Sequence, residues 1–211
     1  MSTTDASGWT IIVPVKPAAV GKSRLAGVGT DREALARAIA LDTINAAAAA
    51  AHVARVLVVT DDAGVRLELR RARAVEVVAE GDTRGLDAAI ALGASAAGKG
   101  TPRAALLGDL PALRPADLDH ALELAASVER GLVPDAEATG STLVTARAGA
   151  VWVSAFGKDS AARHRLLGCT DLAVDRESTL RRDVDTAAQL SEAVALGVGP
   201  RTSAVLAAAA A

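Results

Sequence analysis

Short apolar runs alternate along the chain with longer stretches whose apolar positions recur every three or four residues. The runs Trp9 to Val15, Ala54 to Thr60, Ala74 to Ala79 and Arg103 to Asp109 are rich in valine, isoleucine and leucine. Runs of this length and composition predict buried strands. Between them, Asp31 to Ala51 carries Leu35, Ile39 and Ala46 at helical spacing, and Asp62 to Arg71, Gly85 to Ala97 and Pro115 to Glu129 read the same way. Asp31 suits a helix cap and Pro115 a first helical turn. Strands that are apolar throughout and alternate with helices predict an α/β domain with a mostly parallel sheet and helices on both faces, Rossmann-like in layout. Beyond residue 130 the rhythm shortens. Leu132 to Pro134, Ser141 to Arg147 and Val151 to Ser154 read as strands, with helices starting near Asp159 and spanning Thr186 to Leu196. Residues 1–8 are expected to be a flexible N-terminus, residues 9–200 one domain, and residues 201–211 an alanine-rich tail without fixed structure.

Composition narrows the range of functions. The 211 residues include 51 alanines and only three aromatic residues, Trp9, Trp152 and Phe156. So few rings, and a net charge of −2 from 23 basic and 25 acidic residues, argue against a nucleic-acid binder. The polar start lacks a signal peptide's apolar run, and the apolar stretch near Ala46 is interrupted by His52 and Arg55, so no membrane association is expected. One cysteine, Cys169, forms no internal disulfide and fits a reducing cytoplasm.

In parallel sheets, ligands bind beyond the carboxyl ends of the strands, which ranks the loops. After the first strand, Gly21-Lys22-Ser23 resembles the end of a Walker loop, but Lys16 stands where that motif requires glycine. What remains is a cluster of cations, Lys16, Lys22 and Arg24, beside Ser23, suited to a triphosphate or to a solvated basic loop. Asp109 ends the fourth strand, where a carboxylate needs a partner such as Mg²⁺ or a helix to cap. Asp183 and Asp185, two apart, point the same way if extended; Asp185 is a second candidate carboxylate or the cap of the following helix. Gly85, Leu86 and Asp87 open a helix at a third strand end, suited to a base or ribose. Ser141, Thr142, Gly157 and Ser160 supply hydroxyls and a helix start suited to a small anion.

Together, V-P-V-K with K-S-R-L, V-T-D-D, G-L-D-A-A-I, L-L-G-D-L-P-A-L, P-D-A-E-A-T-G-S-T, F-G-K-D-S-A-A-R-H and D-V-D-T resemble the CofC/FbiD guanylyltransferases of deazaflavin coenzyme synthesis. The resemblance runs from Trp9 to Pro200. It implies a nucleotide-diphospho-sugar transferase-like fold, GTP as donor, Mg²⁺, and a phosphorylated three-carbon acid as acceptor, either phosphoenolpyruvate or 2-phospho-L-lactate. The alanine- and arginine-rich composition favours phosphoenolpyruvate. By position, Asp109 and Asp185 match metal ligands. Lys16, Lys22, Ser23 and Arg24, with Gly85, Leu86 and Asp87, match the GTP site. Ser141 or Thr142, with Gly157 and Ser160, match the acceptor site. Lys16, Lys22, Arg24, Asp109 and Asp185 would carry the catalysis. Asp87 replaces a family asparagine, which bears on the guanine contact. The three rings lie outside the expected base loop, so guanine would rest on polar, backbone and aliphatic contacts. The implied product is unstable and points to hand-over to a following enzyme. The competing readings are a nucleotidyltransferase acting on a sugar phosphate or molybdopterin, and a non-catalytic nucleotide sensor.

Overall fold

The computed structural model describes residues 8–17, 31–82 and 84–210. Its seven strands are β1 (Trp9–Pro14), β2 (Val53–Val59), β3 (Val75–Val78), β4 (Arg103–Leu106), β5 (Arg130–Pro134), β6 (Ser141–Ala146) and β7 (Thr170–Asp171). The helices are α1 (Arg32–Ala48), α2 (Ala63–Leu69), α3 (Leu86–Ala97), α4 (Pro115–Ala125), α5 (Ser160–Leu166), α6 (Ala187–Leu196) and α7 (Pro200–Ala210), with a 3₁₀ turn at Thr179–Arg181. The strands form one sheet in the order β3-β2-β1-β4-β6-β5-β7. Only β6 opposes its neighbours; the other pairings are parallel, which makes the sheet mixed but mostly parallel as expected.

Side-chain alternation divides the core. Ile11, Val13, Val56, Val58, Ala104 and Leu106 pack with Leu41 and Ile44 of α1 and Leu118 and Leu122 of α4. Ile12 and Val59 point the other way, onto Ala89 and Ala94 of α3, while Ala105, Leu132 and Val144 meet Phe156 and Ala161. Helices therefore cover both faces, as the apolar strands require. At Gly93 a Cβ would come within 2.4 Å of Ile12, so a glycine here lets α3 press directly on β1.

Three features differ from the sequence expectation. Val151 to Ser154 forms no strand. Side chains hold this segment instead: Arg103 and Arg130 donate to the carbonyls of Ala150 and Val151, and His164 and Asp87 accept the N–H groups of Ala155 and Phe156. These partners are distant in sequence, so no local pattern announces them. The short edge strand β7 was not legible, because two residues carry no periodicity. Finally, the tail beyond Pro200 is helix α7, not a frayed end. Buried Asp42 of α1 accepts the N–H groups of Arg201 at 3.2 Å and Thr202 at 2.7 Å, and caps that helix. Gly199 is required there, because a Cβ would lie 2.4 Å from the Asp42 Cγ. Residues 1–7 of the expected flexible start lie outside the described residues.

Candidate active site

A cavity of about 820 Å³ opens along the carboxyl edge of β1, β4 and β5. Because β6 runs antiparallel, its first residue, Ser141, reaches the same edge. Pro14, Val15 and Lys16 line the cavity from the end of β1, Asp109 from the loop after β4, and Asp135 from the end of β5. Gly157 to Ser160, Asp183 and Asp185 complete the polar wall.

The sequence-predicted residues divide into three groups. Lys16, Leu86, Asp109, Ser141, Gly157, Ser160 and Asp185 all line this one cavity. Lys22, Ser23 and Arg24 lie outside the described residues. Gly85, Asp87 and Thr142 are not among its lining residues. Thr142 is fully buried, with its hydroxyl on the Val133 carbonyl, because neighbouring strand residues face opposite sides of the sheet. Of the two hydroxyls left open by the sequence, Ser141 is the one that meets the cavity. Asp87 accepts the Phe156 N–H at 2.9 Å and ties α3 to the segment before α5. Phe156, although outside the expected base loop in sequence, lines the cavity together with Leu86, so one ring reaches the site.

The carboxylates are the dominant electrostatic feature. Asp183 Oδ1 is buried with no hydrogen-bond partner among the described residues. Burial, followed by the charges of Asp109, Asp135 and Asp185, pushes the Asp183 carboxyl up to about 7. Oxygens of Asp135, Glu137 and Asp183 come within 4.8 Å of one another. Asp135 also organises the turn into β6, accepting the N–H groups of Thr139 at 2.9 Å and Gly140 at 2.6 Å. Concentrating carboxylates this way is costly without a cation, and an all-oxygen donor set fits a hard divalent ion. Only Asp185 matches a metal ligand by position in the family resemblance, although the two-residue spacing of Asp183 and Asp185 carries the signal for both. Asp135 had a weaker one, a carboxylate just past a strand end. Lys158 and Arg37 add cations to the lining, the latter paired with Asp62 at 3.4 Å.

Behind the hydroxyl wall lies His164, fully buried and edge-on to Phe156 with ring centroids 4.8 Å apart. Its Nδ1 is 2.9 Å from Ser141 Oγ, and its Nε2 accepts the Ala155 N–H at 2.8 Å. Burial pushes its pKa down to about 4, with Asp87 opposing and Arg163 reinforcing that shift.

Residues 9–206 match the family model described as guanylyl transferase CofC like. Among curated relatives, the phosphoenolpyruvate guanylyltransferase of Streptomyces coelicolor is 49% identical over 94% of this chain and 96% of its own length. That of Thermomonospora curvata is 46% identical over 94% and 89%. In fold, the chain resembles the 4-diphosphocytidyl-2C-methyl-D-erythritol synthase of Anaerococcus prevotii, with a TM-score of 0.60, 11% identity and coverage of 90% and 96%. It also resembles Rv0371c of Mycobacterium tuberculosis in complex with manganese, with a TM-score of 0.54, 16% identity and coverage of 90% and 99%. No helix among the described residues is long and apolar enough to cross a membrane.

Proposed function

The chain belongs to the CofC-like guanylyl transferases, and from that premise we propose that it transfers GMP from GTP to the phosphate of phosphoenolpyruvate. The products are enolpyruvyl-diphospho-guanosine and pyrophosphate, at an early step of deazaflavin coenzyme synthesis in the cytoplasm. One observation carries the reading: the carboxylates of Asp109, Asp183 and Asp185 share a cavity with the hydroxyl-bearing Ser141 and Ser160. Carboxylates suit a metal triphosphate, and hydroxyls suit a small phospho-acid.

An acceptor phosphate oxygen attacks the α-phosphorus of GTP in line. The bond from that phosphorus to the bridging oxygen breaks, and pyrophosphate leaves with the electron pair. A phosphate monoester is already ionised near neutral pH, so no general base is needed. The chain's task is to hold two mutually repelling anions in reacting geometry and to stabilise the transferring group. Lys16, with Lys22, Ser23 and Arg24 after it in sequence, grips the triphosphate, and Lys158 offers a further cation. Leu86 packs at the base end, with Gly85 before it, and Asp87 anchors the neighbouring segment from behind. Ser141, Gly157 and Ser160 orient the acceptor. Asp109, Asp183 and Asp185 would hold Mg²⁺, which when bound neutralises charge shared between triphosphate and acceptor.

Pyrophosphate release, followed with GTP, ATP and CTP each crossed with phosphoenolpyruvate, 2-phospho-L-lactate and a sugar phosphate, tests the reading. Turnover is expected with GTP and phosphoenolpyruvate, and only when a divalent cation is present. A preference for 2-phospho-L-lactate or for a sugar phosphate would replace the acceptor. GTP binding without pyrophosphate release from any pair would identify a nucleotide sensor.

A further inference from the structure

A backbone N–H can only donate a hydrogen bond. The Ala155 N–H therefore requires a lone pair on His164 Nε2, 2.8 Å away. An uncharged imidazole has one ring proton, so that proton is on Nδ1, directed at Ser141 Oγ at 2.9 Å. Accepting this bond leaves the serine with its own proton to place. Ser141 Oγ has no second hydrogen-bond partner among the described residues, and Ser141 is 2% exposed while lining the cavity. The hydroxyl is therefore oriented as a donor towards whatever occupies that wall.

We propose that His164 is a positioning residue, which through its Nδ1–H holds the Ser141 hydroxyl as a hydrogen-bond donor to an anionic oxygen of the phospho-acid acceptor. A serine free to rotate would spend part of its time presenting lone pairs to that anion. With the ring proton occupying a lone pair, the repulsive orientation is suppressed before substrate arrives. The network reaches further: Asp87 holds Phe156 N–H while His164 holds Ala155 N–H, so adjacent amides are clamped from α3 and α5. The Phe156 ring packed on the imidazole restricts its rotation. The inference rests on the reading that a phospho-acid is bound at Ser141.

The test separates the two bonds of the ring. In His164→Asn the amide nitrogen takes the place of Nδ1 and still donates to Ser141, whereas in His164→Gln the amide oxygen takes the place of Nε2 and keeps only the Ala155 bond. With GTP and a divalent cation saturating, KM for phosphoenolpyruvate is expected to rise about tenfold in His164→Gln and in Ser141→Ala, with KM for GTP unchanged. His164→Asn is expected to stay within about threefold of the unmodified protein, and His164→Gln is expected to add nothing in the Ser141→Ala background. Unchanged KM in His164→Gln, or additive effects in the double variant, would overturn the proposal. If neither histidine variant folds, the ¹⁵N spectrum of the unmodified protein decides: a proton on Nδ1 is expected, and one on Nε2 overturns the assignment. Failure of the unmodified protein to use any phospho-acid would instead count against the acceptor reading itself.

Discussion

The N–H of Val184 donates to the carbonyl oxygen of Asp109 at 3.0 Å. This bond ties the loop after β4 to a segment that arrives more than seventy residues later. Asp183 and Asp185, on either side of Val184, are thereby brought beside Asp109 at one end of the sheet.

Asp109→Asn and Asp183→Asn are each expected to lower turnover by about a hundredfold or more, a few kcal/mol of barrier. Metal-free Asp183→Asn should melt higher than the unmodified protein, because a buried carboxylate among three others has been neutralised. Adding Mg²⁺ should raise the melting temperature of the unmodified protein by more than that of the variant. Near-normal turnover in either variant would remove that residue from the metal set.

His164 makes stability depend on acidity. Its pKa falls from 6.5 to about 4 on burial, so the folded protein binds fewer protons than the unfolded chain between those values. The sign follows: its contribution is fully present above about pH 6.5 and is lost as the pH falls to about 4, some 3 kcal/mol in total. Asp87 on α3 and Arg163 beside it on α5 face the ring with opposite effects, and both are present in His164→Gln. Asp183, raised to about 7, contributes with the opposite sign over the same range in both proteins, so urea unfolding should show the stability of the unmodified protein falling relative to that of His164→Gln as the pH is lowered.

The Asp87 carboxylate accepts the Phe156 N–H at 2.9 Å. Asparagine can accept that bond equally well, so Asp87→Asn is expected to keep KM for GTP within about threefold. Asp87→Ala should instead raise KM for phosphoenolpyruvate, because the segment leading to Ser160 loses an anchor. A selective rise in KM for GTP with Asp87→Asn would show direct contact with the base.

Helix α7 depends on Asp42. Asp42→Ala should cost about 1 kcal/mol as a lost cap. Gly199→Ala should also destabilise, since the added Cβ meets Asp42. Turnover at saturating substrates should be unchanged in both, measured alongside chemical denaturation.

Much of this architecture is written locally. Apolar runs became β1 to β4, and Asp31 caps α1 by accepting from Glu33 and Ala34 N–H groups, because strand burial and helix capping depend on neighbours in the chain. The convergence of Asp109, Ser141 and Ser160 on one cavity was also legible, as polar residues at element ends along one edge of the sheet. That Ser141 rather than Thr142 lines the cavity, and that Asp183 does so beside Asp185, depended on which side of the backbone faces it. The register of β6 against β4 decides the first, and the Val184–Asp109 bond decides the second. The loss of the expected strand at Val151 to Ser154, the His164–Ser141 contact and the capping of α7 by Asp42 all join residues far apart in sequence. Local pattern determines which segments can be strands and helices. Only the packed fold determines which distant donor meets which acceptor, because such partners come within bonding distance only once the elements that carry them have packed.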